Sequence, residues 1–442
     1  MINSERHQAK ATIAWLTPED AGPEPRVLLA AEDAGYLVAT GPDAEKSDCD
    51  VVIADLRGFH QSTPAVSELI SRARALGPSA GIIIAASASA DRKMRSLLRR
   101  HGDVRHLGRD AAPLIASVRE RLRLFMLADE MGERMKSLIA DGRTASFSGF
   151  GERRDRFSVL VAGAASPLTL NVCNSVNRVA AHTSCVFTAG QVMRALDHYR
   201  FDCAVFLPTG ETDLLIALAR ALRRHRDHRK LPVFIASEDD ELLDRCAGKE
   251  GFDVIMAQHL EADIAPRLGV AVRRARMAAT MRAFLRSSDG CGGGAEGAAA
   301  ARFFAHHASR IFNHAEAAGK AVSLVGLSLE PRTGSGANDA TSAALSEALR
   351  TTTRLVRAED LITRLTPTTL VVLLRGVNAR EAERIADRLE GVIGGSLTRS
   401  TCDIACVSAA SVERAGGECL EHVVATLLRS LQVRKARTAT AG

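Results

Sequence analysis

The residue types best suited to ligand chemistry lie in Arg357-Ala-Glu-Asp360, where a guanidinium and a carboxylate stand three positions apart. Guanidinium groups bond bidentately to a phosphate or to the O6/N7 edge of guanine, and a carboxylate can accept from guanine N1 and N2. Arg planes also stack on purines. On spacing alone, an Arg-x-x-Asp also describes an ordinary surface ion pair. The turn that follows, Thr366-Pro-Thr-Thr-Leu370, carries hydroxyls and no carboxylate. Hydroxyls are poor Mg²⁺ ligands beside carboxylates, so this stretch favours binding over metal-dependent chemistry. A second candidate is Asp55, which ends the apolar run Val51-Val-Ile-Ala.

The elements that must position these groups follow from periodicity. Leu361–Arg364 and Leu370–Leu374 are expected as two strands joined by the Thr-Pro-Thr-Thr turn. Earlier in the chain there is an internal repeat. Cys49-Asp50-Val-Val-Ile-Ala-Asp55 lines up with Phe201-Asp202-Cys-Ala-Val-Phe-Leu207, and Gly102-Asp103-Val-Arg-His-Leu107 with Phe252-Asp253-Val-Ile-Met-Ala257. Continuous apolar runs such as Ile82–Ala85 and Ser158–Ala162 alternate with helical stretches, which predicts parallel sheets covered on both faces. Each repeat closes with a long charged helix, near 113–136 and 261–286. The glycine-rich run 286–297 marks a hinge, and 145–151 a weaker boundary. Beyond the hinge the order is helix, strand, helix, hairpin, helix, strand, helix. The expected fold is therefore α/β in three domains: 12–128, 156–285 and 295–442.

Composition excludes several classes. At 442 residues the chain calls for more than one core. No run of about 18 apolar residues and no signal-peptide core are present, so a membrane is not expected as a partner and a cytoplasmic location is. The nine cysteines are odd in number and lack Cys-x-x-Cys spacing, which argues against structural zinc and for a reducing compartment. Cys402 and Cys406 alternate with apolar residues like core fillers. The net charge of +6 is modest and its arginines lie on helices, so solvated faces are expected and nucleic acid is not.

The first two domains resemble the receiver domains of response regulators, a flavodoxin-like fold. In the first, Thr17-Pro18 stands where the family's acidic pair falls, with Glu19 and Asp20 just after. Asp55 keeps the acceptor place, Ser87 the hydroxyl place, and Leu107 replaces the Lys. Asp55 is thus a phosphorylation candidate and equally a vestigial strand-end carboxylate. In the second repeat Leu207 replaces the acceptor, Gly163-Ala164 the acidic pair and Ala257 the Lys. The resemblance implies that this domain packs and dimerises without phosphoryl chemistry.

The third domain resembles the diguanylate cyclase (GGDEF) domain, an α/β domain with a mixed sheet, in which an Arg-x-x-Asp precedes a Gly-Gly-(Asp/Glu)-Glu-Phe hairpin. Gly326 and Ser328 fall on the family's first-strand Asp positions, Thr368 on the hairpin acid and Ser342 on the guanine-reading Asp. A worn opening, Asp289-Gly-Cys-Gly-Gly-Gly then Arg302-Phe-Phe, and the helix from Ala379 keep the alignment in frame. The resemblance implies no enzymatic activity and no metal, with cyclic di-GMP bound at Arg357, Asp360 and Arg388. The whole order resembles PleD-type response regulators, closest to a non-catalytic branch. That implies a cell-cycle effector which brings partner proteins to the ClpXP protease at a cell pole, with homodimerisation through the receivers. The rival readings are a residual cyclase or GTP-binding domain, and a scaffold in which Arg357 and Asp360 pair only with each other.

With Leu107 in place of Lys, an acyl phosphate at Asp55 should form slowly and switch little. Asp55→Asn should therefore leave cyclic di-GMP affinity nearly unchanged, while partner engagement is free to change. Affinity titration of the variant and acetyl-phosphate labelling of the wild type check this. A large fall in affinity, or rapid stoichiometric labelling, would mean a working receiver.

Overall fold

The computed structural model describes residues 11–17, 22–46, 49–56, 63–76, 81–86, 103–106, 111–142, 157–209, 214–225, 227–248, 252–257, 260–286, 297–331, 337–399 and 404–441. Glu19, Asp20, Ser87, Leu107 and both expected linkers lie outside them. The first repeat runs β1 (Ala11–Leu16), α1 (Pro25–Asp33), β2 (Tyr36–Thr40), α2 (Gly41–Lys46), β3 (Val51–Asp55), α3 (Thr63–Leu76), β4 (Gly81–Ala86), β5 (Asp103–His106) and α4 (Ala112–Ala140). The second runs β6 (Ser158–Gly163), α5 (Pro167–Asn177), β7 (His182–Val186), α6 (Ala189–His198), β8 (Cys203–Leu207), α7 (Leu214–Arg224), β9 (Val233–Ser237), α8 (Asp240–Gly248), β10 (Asp253–Met256) and α9 (Leu260–Arg286).

Both repeats form five-stranded sheets, β2-β1-β3-β4-β5 and β7-β6-β8-β9-β10, with every pair parallel. This is the doubly wound order of flavodoxin-like folds. The apolar runs are strands buried on both faces, as their continuity demands. The repeat extends to a side chain the alignment had paired. Asp50 Oδ2 accepts the Thr12 N–H at 3.0 Å, and Asp202 Oδ2 accepts the Ser158 N–H at 2.9 Å. In each repeat this Asp, just ahead of the central strand, fixes the start of the neighbouring strand.

The third region runs α10 (Ala301–Ala317), β11 (Val322–Pro331), α11 (Ala337–Leu355), β12 (Leu361–Thr366), β13 (Thr369–Arg375), α12 (Ala379–Arg399), β14 (Ile404–Glu413) and α13 (Leu420–Ala441). Its sheet has the order β12-β13-β11-β14. The hairpin expected around Thr366-Pro-Thr-Thr is present, with both strands longer than expected. The mixed sheet reduces to less than expected: neighbouring strands pair antiparallel throughout, and the parallel component among described residues is one bridge, Ala299–Thr363. The reason is topological. Each helical crossover joins strands that point the same way but have another strand inserted between them. Side chains alternate across the sheet, with Leu324, Val371 and Leu373 packing on α10 and α13, and Val325, Leu327 and Val372 packing on α11 and α12. Cys406, expected as core, is half-buried because β14 is an edge strand; Cys402 lies outside the described residues.

By contacts the described residues fall into two compact units, those within 11–125 and 157–276, and those within 126–142 and 277–441. Leu138 and Leu285 join the core of the third region, and Leu127, Met131 and Met281 pack with Ala358. Among the described residues, no helix is long and apolar enough to cross a membrane.

Candidate ligand-binding site

Helix α11 ends where its own sequence stops it. Val356 N–H still bonds back to Thr352 O at 3.0 Å, whereas Arg357 N–H goes to Asp360 Oδ2 at 2.8 Å. A carboxylate three residues on therefore takes the amide and turns the chain into β12. The three-residue spacing has this local role whatever else it does. Arg357 is exposed, as is Arg388 on α12. Arg388 Nη2 donates at 3.3 Å to the carbonyl of Leu355, a helix-end acceptor left without an intrahelical donor. The structure thus brings Arg388 to the turn that holds Arg357 and Asp360.

Asp360, expected to accept from a guanine edge, is 5% exposed. Its Oδ1 is buried with no hydrogen-bond partner among the described residues. Burial and the neighbouring Glu359 push its carboxyl up to about 7, against the pull of Arg357 and its amide.

Under the turn lies a charge network that the sequence had not revealed. Arg134 of α4 is fully buried, and its Nη2 lies 3.2, 3.5 and 3.4 Å from the carbonyls of Ala358, Glu359 and Asp360. Its Nε donates to Glu130 Oε1 at 2.6 Å. Glu130 also receives His307 Nε2 at 2.9 Å and Arg375 Nη1 at 2.7 Å. Burial alone would raise the Glu130 carboxyl, but Arg134, His307 and Arg375 outweigh it and hold it well below the usual carboxylate range. Glu130 and Arg134 are an ordinary i,i+4 pair by sequence, which reads as a solvated helix face. Only packing reveals their burial.

The places of the cyclase carboxylates are filled differently. A Cβ on Gly326 would lie 2.7 Å from Leu431 Cδ1 and 3.2 Å from two Leu427 atoms, so α13 packs on the bare backbone. Ser328 Oγ is buried and unpaired among the described residues, and Ser342 is half-buried on α11. Thr368 sits in the hairpin turn, where its carbonyl accepts the Leu329 N–H at 2.9 Å. Among the described residues one set, Asp129, Glu133 and His314, brings metal-ligating atoms within 4.8 Å. Those carboxylates already bond Arg375, Lys136 and Arg310.

In the first repeat Asp55 and Thr17 are both buried at strand ends. In the second, a Cβ on Gly163 would meet Leu207 Cβ at 2.8 Å, so the apolar residue in the acceptor place also closes the place of the acidic pair. Ala257, in the place of the Lys, lines a cleft of about 820 Å³ with Asn171, Arg178 and Glu238.

No family model and no curated protein matches the chain. Among solved structures, it is similar to the GGDEF domain of DgcB from Caulobacter crescentus in complex with c-di-GMP, at 19% identity and a TM-score of 0.27, covering 32% of this chain and 85% of that one. The active GGEEF domain of a diguanylate cyclase from Vibrio cholerae gives 11% identity, a TM-score of 0.26, and coverage of 31% and 90%. Diguanylate cyclase SiaD from Pseudomonas aeruginosa, in complex with its activator SiaC, gives 15% identity, a TM-score of 0.28, and coverage of 56% and 80%. At TM-scores this low the likeness decides nothing about function, which rests on this chain's own residues.

The raised Asp360 carboxyl has a measurable consequence. Its ordinary value is 3.8 and its folded value about 7, so the folded chain holds this proton more tightly than the unfolded one. The stabilisation is complete below the lower value and is lost as pH rises through the higher one. Urea unfolding of wild type and Asp360→Asn should show wild type losing, relative to the variant, on the order of a few kcal/mol between about pH 4 and about pH 8. Parallel pH profiles would contradict a raised carboxyl.

Proposed function

We propose that this chain is a non-catalytic effector of cyclic di-GMP, with Arg357 and Arg388 as the ligand's guanidinium contacts and Asp360 setting the turn between them. The observation that carries this reading is the bond from the exposed Arg388 guanidinium to the Leu355 carbonyl, two residues ahead of the exposed Arg357. Two phosphodiesters and two guanine edges give such a pair bidentate partners and planes to stack on. Ligand binding then changes which protein surface is displayed, and the output is recruitment of protein partners. Delivery of those partners to the ClpXP protease, polar placement and homodimerisation through the receiver-like repeats extend this proposal by family resemblance.

Absence of catalysis is part of the same proposal, and the packing of α13 against Gly326 supports it. Phosphoryl transfer from GTP needs divalent metal held by carboxylates. Here hydroxyls and a glycine against which Leu427 and Leu431 pack stand in those places.

Arg357→Ala should lose most of its cyclic di-GMP affinity, roughly 2–5 kcal/mol by calorimetry, with an unchanged circular dichroism spectrum. Equal affinity in the purified variant would remove Arg357 from the site.

Writing Gly-Gly-Asp-Glu-Phe into 366–370 should yield no cyclic di-GMP from GTP and Mg²⁺, because Gly326, Ser328 and Ser342 remain. Adding Gly326→Asp should lower the thermal midpoint, since its Cβ meets Leu431. Measurable product from the hairpin graft alone would show that fewer carboxylates are needed than proposed.

A further inference from the structure

We infer that Arg134 is a positioning residue, whose guanidinium holds the 357–360 turn in its ligand-ready form from below; this rests on the reading of that turn as the cyclic di-GMP site. The turn lies between α11 and β12, outside either hydrogen-bonding ladder. Buried carbonyls in such a stretch need donors from elsewhere. One nitrogen, Arg134 Nη2, faces three consecutive carbonyls, those of Ala358, Glu359 and Asp360. Three successive carbonyls can converge on one donor only if the backbone curls around it. That curl returns the Asp360 carboxylate to the Arg357 amide at 2.8 Å.

The guanidinium is itself held. Nε and Nη2 form one edge of its fork, with Nε on Glu130 and Nη2 on the turn. Glu130 is bonded from two further sides by His307 and Arg375. Ser137 Oγ donates to Glu133 O at 2.9 Å and lies 3.0 Å from His307 Nδ1. That contact helps seat the ring that bonds Glu130. Arg375 is tied in turn to Asp129 Oδ2 at 2.6 Å. A lysine at 134 would keep the charge near Glu130 but lacks a planar fork able to bond the carboxylate and the turn together.

The reporter is the Arg357 amide, whose bond to Asp360 exists only while the turn is curled. In ligand-free full-length chain, its hydrogen exchange should quicken by at least about tenfold in Arg134→Lys and in Arg134→Met, because the buried carbonyls lose their donor and the turn opens more often. Amides of Leu324 and Val372, in the sheet, should keep their wild-type rates in the Lys variant. Cyclic di-GMP affinity should fall by a similar factor in both variants. Unchanged exchange at Arg357, or equal acceleration at all three amides, would overturn the inference and leave Arg134 a packing residue. If neither variant folds, the wild type decides through nuclear Overhauser contacts between the Arg134 guanidinium protons and the α-protons of residues 358–360, whose absence would also overturn it. Failure of wild type to bind cyclic di-GMP would remove the ligand reading while the exchange result still decides the role of Arg134.

Discussion

The buried carboxylate of Glu130 is the constraint on which the candidate site depends. An ion taken out of water costs several kcal/mol even after relaxation, and it is tolerated only when its partners are fixed and close. Arg134, His307 and Arg375 meet Glu130 at 2.6, 2.9 and 2.7 Å. These residues come from α4, α10 and the end of β13, so one charge ties three elements together. Removing any one partner leaves a buried charge uncompensated, so the network behaves as a unit. Through Arg134 the same network reaches the three carbonyls beneath Arg357 and Asp360. Gly376, next to Arg375, has φ of 63° and comes within reach of Met126 Cε, at 3.2 Å from a built Cβ. A side chain there would strain the backbone at the point where the strand delivers its arginine.

The places where metal or phosphoryl chemistry would sit show the opposite economy. Gly326 and Gly163 are both approached by leucine side chains closely enough that an added Cβ would have to displace them. An apolar neighbour in that space is more than a missing ligand. It fills the space with close-packed apolar atoms, so a carboxylate placed there would also have to be accommodated by repacking. The polar atoms that remain, such as Ser328 Oγ, are buried rather than arranged around a common centre.

Much of the architecture was legible in the residues, and for identifiable reasons. Continuous apolar runs alternating with helical stretches required parallel sheets, and the aligned Asp50 and Asp202 proved to do the same job in each repeat. The hairpin was marked by its Pro367-Thr368 turn between apolar runs. Arg357 and Asp360 were marked by type and spacing, Arg388 by the family resemblance, and α12 brings Arg388 to the helix end just ahead of their turn. The mixed sheet was overestimated because strand direction and strand adjacency are separate properties, and sequence order specifies the first more directly than the second.

What the chain determined by itself are the quantities set by neighbours in sequence: strand and helix periodicity, and the turn that ends α11. Tertiary structure alone decided which charges are buried. Glu130 and Arg134 look like a solvated helical pair until α10 and β13 close over them, and Asp360 looks like a surface acceptor until its turn folds inward. The physical reason is that the free energy of an ionised group depends on how much water surrounds it. That is fixed by elements hundreds of positions away, as the separation of 226 between Arg134 and Asp360 shows.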